Sequence, residues 1–199
     1  MTIYKGHYET FDVMKEKEHW DEHTKKIINH RLTEKPLHFF TEKEAKMMYQ
    51  LCSILLDDRR QSIMKFVIEH IDATLNTNIG DSQRKAKVPK QTVLIREGLA
   101  LLDRSCLLQH ERTFSSVTDK IRKDIIENIM KGVFPTPAIK QTVPIMEFIY
   151  KILQEATAAY YSHPTVWSEI GYAGPAYPRG YVRTEIGLTD PWEARRDAK

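Results

Sequence analysis

Apolar residues recur at helical spacing in six separate stretches of this 199-residue chain. No run of alternating or continuous β-branched residues competes with that pattern. Apolar side chains three and four positions apart lie on one face of a helix, and that face needs a core to cover it. The sequence therefore predicts an all-α protein, an irregular bundle of about six helices around one core. The predicted helices run from Asp12 to Leu32, Thr41 to Leu55, Gln61 to Leu75, Pro89 to His110, Ser116 to Lys131 and Thr142 to Tyr161.

Local signals support several of these boundaries. Thr41 and Glu44 have the spacing of a capping box, and Ser116 with Asp119 has the related Ser-x-x-Asp pattern. Pro144 is expected in the first turn of the last helix, where its missing N–H donor costs nothing. Gly98, in the middle of the fourth helix, lowers helix propensity by about 1 kcal/mol against alanine. We therefore expect a close helix crossing at Gly98.

Composition narrows the classes of function. A hydrophobic fraction of 41% and a charged fraction of 29% are typical of a globular protein. The formal charge is only +3 and both signs are mixed along the chain, whereas nucleic-acid binders usually carry a one-sided basic stripe. Nucleic acid is therefore not expected as a partner. Cys52 and Cys106 lie in apolar helical stretches and are predicted to be packed thiols rather than a disulfide.

The first ten residues contain no apolar run, cleavage site or twin-arginine pair. No later stretch approaches 18 consecutive apolar residues, so direct membrane insertion is not expected. These observations predict a cytoplasmic chain. If the protein is membrane-associated or exported, we expect a partner to carry the signal.

The last part of the chain has a different composition. Residues 163–199 contain half of the eight glycines and four of the nine prolines, with five tryptophan or tyrosine residues among them. Glycine and proline at this density predict turns and extended backbone rather than a helix, while the aromatic rings carry too much apolar area to stay in water. We expect this C-terminal arm to dock, and the sequence leaves open whether it docks on its own helices or on a partner. The expected organisation is one domain with an N-terminal segment and first helix (1–36), a bundle (37–162) and the arm (163–199).

One stretch resembles a catalytic motif. His19, Glu22 and His23 fit the H-x-x-E-H pattern of the inverted zinc peptidases, in which two histidines four apart on a helix bind the metal. A third protein ligand is required, and none is marked by its context. In a helix rich in Lys, Glu and His, a solvated helix face is the favoured interpretation, and a metal-dependent hydrolase is the alternative. No nucleophile elbow or phosphate-binding loop is present, so no catalytic or cofactor-binding residue is predicted.

The arm also carries the chain's most specific motif, WSEIGYAGPAYPRGY at residues 167–181. It closely resembles the C-terminal signature of the gluconate 2-dehydrogenase subunit 3 family. Three other stretches are similar to that family: FFTEKE at 39–44, FVIEHID at 66–72 and GVFPT at 132–136. The resemblance covers roughly residues 37–183.

This resemblance implies an all-α accessory subunit without a cofactor of its own. Its expected partner is a large FAD-dependent dehydrogenase subunit of the GMC type, with a cytochrome c subunit as a further candidate, and its expected role is stability or maturation of the flavoprotein. Unlike exported members of the family, this chain shows no twin-arginine signal. A free-standing structural or interaction protein is a second alternative. The residues expected to contact the partner are Trp167, Glu169, Tyr172, Tyr177, Arg179 and Tyr181.

Overall fold

A computed structural model describes residues 8–77, 85–134, 139–183 and 185–195. Within these ranges the protein is helical and contains no strand, which confirms the predicted fold class. The number of helices is larger than expected, since the described residues form seven α-helices and one 3₁₀ helix. The 3₁₀ helix is Val13–His19, and the α-helices are α1 (Glu22–Leu32), α2 (Glu42–Leu55), α3 (Gln61–Thr77), α4 (Gln91–His110), α5 (Asp119–Met130), α6 (Ile145–Tyr160) and α7 (Pro164–Ile170).

The prediction of one continuous helix from Asp12 to Leu32 is wrong. Asp12 caps the 3₁₀ helix as expected, but the chain then turns to extended backbone at Trp20. Asp21 starts a new helix, because its carboxylate accepts hydrogen bonds from the backbone N–H groups of His23 and Thr24. An Asp side chain competes in this way with the helical hydrogen-bond ladder, and the break lets Trp20 turn into a buried cluster.

A further difference lies at the start of the arm, which was expected to contain no helix. Pro164–Ile170 forms α7, a short helix with proline in its first turn. His163 caps it, and Gly171 ends it in the left-handed conformation at φ 76°. Proline at the start and glycine after the end are compatible with a helix of two turns, so they mark its limits here.

The other helix ends differ less from the expected ones. The capping box of α2 is confirmed, with Thr41 and Glu44 exchanging side-chain and backbone hydrogen bonds. Helix α5 begins three residues later than predicted, because Thr118 rather than Ser116 caps it. Pro144 precedes the first turn of α6, and its carbonyl accepts the N–H of Phe148.

The chain divides into two compact units, one formed by 1–34 with 160–199 and one by 35–159. The second unit packs α2 against both α3 and α5. A Cβ atom on Gly98 of α4 would overlap the ring of Phe148 on α6, so the predicted close crossing is present. Cys52 and Cys106 are buried free thiols.

Two carboxylates of α3 fix the backbone before α2. Asp72 is 1% exposed, and its oxygens accept the N–H groups of His38, Phe39 and Phe40 at 2.7–2.9 Å. Glu69, one turn earlier, accepts the N–H of Lys35. The 66–72 stretch therefore positions an irregular segment as well as contributing apolar residues to the core. No helix in the described part of the chain is long and apolar enough to cross a membrane.

Candidate partner-binding surface

The six residues predicted to contact a partner all lie in the first unit, on α7 or after it. They differ greatly in exposure. Tyr177 and Tyr181 are 71% and 66% exposed, whereas Trp167 is only 7% exposed. The structure therefore separates residues that build the arm from residues that it presents to solvent.

Trp167 belongs to the interior of this unit. It shares a buried cluster with Val13, Trp20 and Ile28, and its indole N–H donates to the carbonyl of Tyr161. Ser168, its neighbour on α7, accepts the backbone N–H of Val13 at 3.0 Å. Helix α7 is thus joined to the 3₁₀ helix by apolar packing and by a hydrogen bond over a long sequence separation.

Tyr172 covers the outer side of that cluster. Its ring meets Trp167 edge to face, with centroids 5.4 Å apart, and it is 42% exposed. Burial, and then the proximity of Tyr181, raises the pKa of the Tyr172 hydroxyl. The hydroxyl, which any tyrosine keeps protonated at neutral pH, can act as a hydrogen-bond donor. Glu169 lies on α7 and is partly exposed.

Gly174 allows the arm to pass close to the cluster. Its φ is 81°, a conformation that favours glycine. A Cβ atom at this position would lie 2.5 Å from a ring carbon of Trp20. Both backbone conformation and space therefore require glycine here.

Arg179 is bound within its own unit. One guanidinium nitrogen lies 2.9 Å from a carboxylate oxygen of Glu16, and another donates to the carbonyl of Ala173 at 3.1 Å. The guanidinium carbon also lies 4.9 Å from the centroid of the Trp192 ring, a cation–π distance. With only 9% of its side chain exposed, Arg179 holds three parts of the unit together.

Asp190 closes the following loop. It is 1% exposed, and its carboxylate accepts the backbone N–H groups of Val182 and Arg183 at 2.8–3.2 Å. The N–H of Asp190 donates in turn to Glu193 at 2.7 Å. The Asp190 carboxylate therefore joins the backbone of Val182 and Arg183 to residue 190, at the base of this loop.

Sequence reasoning missed the aliphatic residues that this loop presents. Val182 is 68% exposed, Leu188 is 50% exposed and Ile186 is fully exposed. Ile186 and Leu188 are called the apolar loop tip below, whereas Val182 lies at the base, where Asp190 accepts its N–H, and Tyr181 precedes it. The sequence does contain a signal for these residues, a group of aliphatic side chains among Gly, Thr and Glu residues. Their spacing follows neither a helical nor an alternating period, so they do not fit a helix or strand of the core.

The structure does not assemble the H-x-x-E-H motif. His19 ends the 3₁₀ helix and His23 lies in the first turn of α1, with the non-helical residues Trp20 and Asp21 between them. The two histidines are therefore not four apart on one helix, as the zinc motif requires. Among the described residues, no group of three or more His, Cys, Asp or Glu side chains could hold a metal ion.

Comparison with known proteins gives one result. The family model described as gluconate 2-dehydrogenase subunit 3 matches residues 42–174. The matched range begins at the start of α2 and ends at Gly174, so it includes Trp167 and the rest of α7. It does not include the other residues of the Trp167 cluster, Arg179 or the apolar loop tip. No curated protein and no solved structure matches the chain.

Proposed function

Because the chain belongs to the gluconate 2-dehydrogenase subunit 3 family, we propose that it is the non-catalytic accessory subunit of a flavin-dependent gluconate or sugar dehydrogenase complex. The observation that carries this proposal is the family match, which covers 42–174 of 199 residues. In this proposal the large subunit, an FAD-dependent flavoprotein of the GMC type, binds the flavin and oxidises the substrate.

The surface chemistry of the arm supports this role. Exposed tyrosines anchor protein interfaces well, since they bury a large rigid area at little cost in side-chain entropy. Tyr177 and Tyr181 are exposed on a segment that Arg179 holds in place. The proposed contact surface is therefore these two tyrosines with the outer edge of Tyr172, while Trp167 and Arg179 position them. Glu169 stays among the predicted contacts.

The proposed benefit to the flavoprotein is stability. A subunit that binds only the folded form of its partner raises the partner's stability by mass action, by about 2.7 kcal/mol at a concentration one hundred times the Kd. The same binding favours the folded state during maturation, when the flavin is acquired. No electron has to pass through the small subunit for either effect.

Co-expression tests the proposal. The large flavoprotein subunit from the same host is produced with and without this chain, and its yield, bound flavin and melting temperature are compared. We expect all three to rise when the chain is present, and the two proteins to co-purify. Haem absorbance of the complex purified from the native host would reveal whether a cytochrome c subunit joins them. A large subunit with the same yield, flavin content and melting temperature in both preparations would contradict the proposal.

A further inference from the structure

The second unit has a cleft between α2, α3 and the backbone segment that precedes α2, which we call the α2–α3 cleft. Its volume is about 500 Å³, within the range of about 300–1,000 Å³ that is typical of small-molecule sites. Eight residues between positions 35 and 69 line it, and all of them belong to the described part of the second unit. The cleft is therefore large enough to hold a small organic molecule.

Helical spacing places the lining residues together. Ala45 and Tyr49 are four positions apart on α2, so their side chains lie on one face of that helix. Gln61, Lys65 and Glu69 follow one another at the same interval on α3. The two faces form two walls of the cleft, and the segment before α2 forms the third.

The third wall is held in place by carboxylates of α3. Glu69 accepts the backbone N–H of Lys35 at 3.2 Å, and Asp72 accepts the N–H groups of residues 38–40. Leu37, which lines the cleft, lies between these two attachment points. A wall that is fixed in this way loses little conformational entropy when a ligand binds against it.

The walls supply an apolar surface. Leu37, Ala45, Tyr49 and Ile68 line the cleft with apolar side-chain area, and the hydroxyl of Tyr49 already donates to the carbonyl of Arg59 at 3.0 Å. A molecule covered with hydroxyl groups would lose hydration against this surface without gaining hydrogen bonds in return. The cleft is therefore suited to a ligand with an apolar body rather than to a sugar acid.

The charged lining residues indicate the other end of the ligand. Glu69 has a side chain that is only 10% exposed, and its carboxylate is already engaged by the Lys35 N–H and by the ammonium of Lys65 at 3.9 Å. Lys35 is half-buried, and within the described ranges its ammonium has neither an ion pair nor a hydrogen bond. After Lys65 and Glu69 offset each other, one positive charge is left at the edge of an apolar cleft.

We propose that the α2–α3 cleft binds an apolar small molecule that carries a single carboxylate. The apolar body lies against the four apolar lining residues, and the carboxylate pairs with the ammonium of Lys35. One negative charge balances the one unpaired lysine, whereas a phosphate group would bring nearly two. Binding at this place requires neither flavin nor the flavoprotein, so it is a property of this chain beyond its proposed accessory role.

An organic cation is the other ligand that a cleft with a buried carboxylate could take. It would have to displace the ammonium of Lys65 from Glu69. It would also lie beside the ammonium groups of both Lys35 and Lys65, and like charges at short distance repel. The observations therefore favour an anionic ligand.

Isothermal titration calorimetry of the full chain at about pH 7, where carboxylates are ionised, tests the ligand class with four probes. Octanoate, butanoate, octylammonium and gluconate differ in chain length, charge and hydroxyl content. We expect saturable binding of octanoate at one site, at least about tenfold tighter than that of butanoate because more methylene groups are buried. Octylammonium and gluconate should give no saturable binding.

Lys35→Gln tests the position of the carboxylate. We expect it to weaken octanoate binding at least about fivefold, as loss of a charged hydrogen-bond partner does, and to leave the binding of 1-octanol unchanged. Lys46→Gln is the matched control, because Lys46 is exposed on the same side of the chain's α2 start but does not line the cleft. It should change the Kd of octanoate by less than about twofold.

Ala45→Leu tests the apolar part by filling the cleft. The larger side chain takes the space of about three methylene groups of the ligand, so we expect at least about tenfold weaker octanoate binding. Ala100→Leu, at an exposed position of α4 outside the cleft, is the control and should leave the binding unchanged. The melting temperature of each variant shows that it is folded.

The outcomes are distinct from those of the flavoprotein experiment. The ligand proposal would be overturned by the absence of saturable octanoate binding at millimolar concentration, or by tighter binding of octylammonium or gluconate. It would also be overturned if folded Lys35→Gln and Ala45→Leu chains bound octanoate as tightly as the unaltered chain. None of these results affects co-purification with the flavoprotein, so the accessory function is judged separately.

Discussion

Asp72 and Asp190 are almost fully buried carboxylates, and each accepts hydrogen bonds from the backbone of a stretch without regular structure. Arg179 acts similarly with the opposite charge, by donating to the Ala173 carbonyl. Hydrogen bonds of this kind offset the cost of burying a charged side chain, although among the described residues the Nε of Arg179 has no partner. Single charged residues thus fix the segments that hydrophobic periodicity does not specify.

Gly174 provides the sharpest test at this scale. Gly174→Ala combines left-handed strain with overlap on Trp20, and we expect it to lower the free energy of unfolding by about 2–4 kcal/mol. Gly180→Ala is the matched control, because Gly180 also has positive φ but nothing lies within 4 Å of the added Cβ. Its cost should be about 1 kcal/mol. Denaturant unfolding followed by tryptophan fluorescence measures both, and equal costs would show that the Trp20 contact does not constrain this position.

The two thiols give a prediction about pH. Burial raises the pKa of Cys52 to about 12, and burial followed by Asp103 raises that of Cys106 to about 11. The stabilising effect of the neutral thiols is complete below the unfolded pKa of about 8.5 and is lost as pH rises through the folded values. Stability should therefore fall above about pH 9, by up to about 1.4 kcal/mol per pH unit for each thiol.

Dithiobis(nitrobenzoate) labelling checks the same burial directly. At pH 8 the folded protein should react slowly and the denatured protein should react at both cysteines. Rapid labelling of the folded protein would contradict buried thiols.

At the scale of elements, the chain's helices were largely predictable and its breaks were not. The capping box of α2 and the crossing at Gly98 follow from local chemistry that needs no tertiary information. The break at Trp20 and Asp21 was missed because the helical period continues through it. There the burial of Trp20 outweighs the local pattern. The role of Asp190 and the exposure of the apolar loop tip could not be predicted either, since they depend on how an irregular segment closes.

The segment before α2 depends on one carboxylate. Asp72→Asn keeps the shape but places an amide NH2 or a weaker acceptor beside three N–H donors. We expect a loss of about 2–4 kcal/mol in the free energy of unfolding. Hydrogen exchange should be faster at His38, Phe39 and Phe40. Asp124→Asn, at an exposed position of α5, is the control and should change stability by less than about 0.5 kcal/mol. Unchanged exchange at the three amides would contradict this role of Asp72.

At the scale of the whole molecule, the arm has two separable parts. The part up to Gly174 covers the buried cluster of its own unit. The later part is tied to the same unit through the ion pair of Arg179 with Glu16, and it carries the apolar loop tip. Both possibilities that the sequence left open for the arm therefore have a physical basis. The packing of the first part on its own unit is observed, whereas contact of the second part with a partner is proposed.

Two truncations distinguish these parts. A chain ending at residue 174 keeps Trp167 against Val13, Trp20 and Ile28 but lacks Trp192. We therefore expect Trp20 and Trp167 to retain the short-wavelength emission of buried indoles, and binding to the flavoprotein to be lost. A chain ending at residue 162 lacks Trp167 and should expose Trp20, which shifts its emission to longer wavelength. Circular dichroism monitors the remaining helices. A chain ending at 174 that binds the flavoprotein as tightly as the full chain would contradict the proposed division.

The central claim is that this chain forms a complex with a large flavoprotein subunit. The most direct test is size-exclusion chromatography with light scattering on the 23.3 kDa chain mixed with that subunit from the same host. We predict one peak that contains both proteins and flavin absorbance, with a mass equal to a whole-number assembly of the two. Separate peaks at the masses of the individual proteins, at concentrations well above micromolar, would contradict the claim.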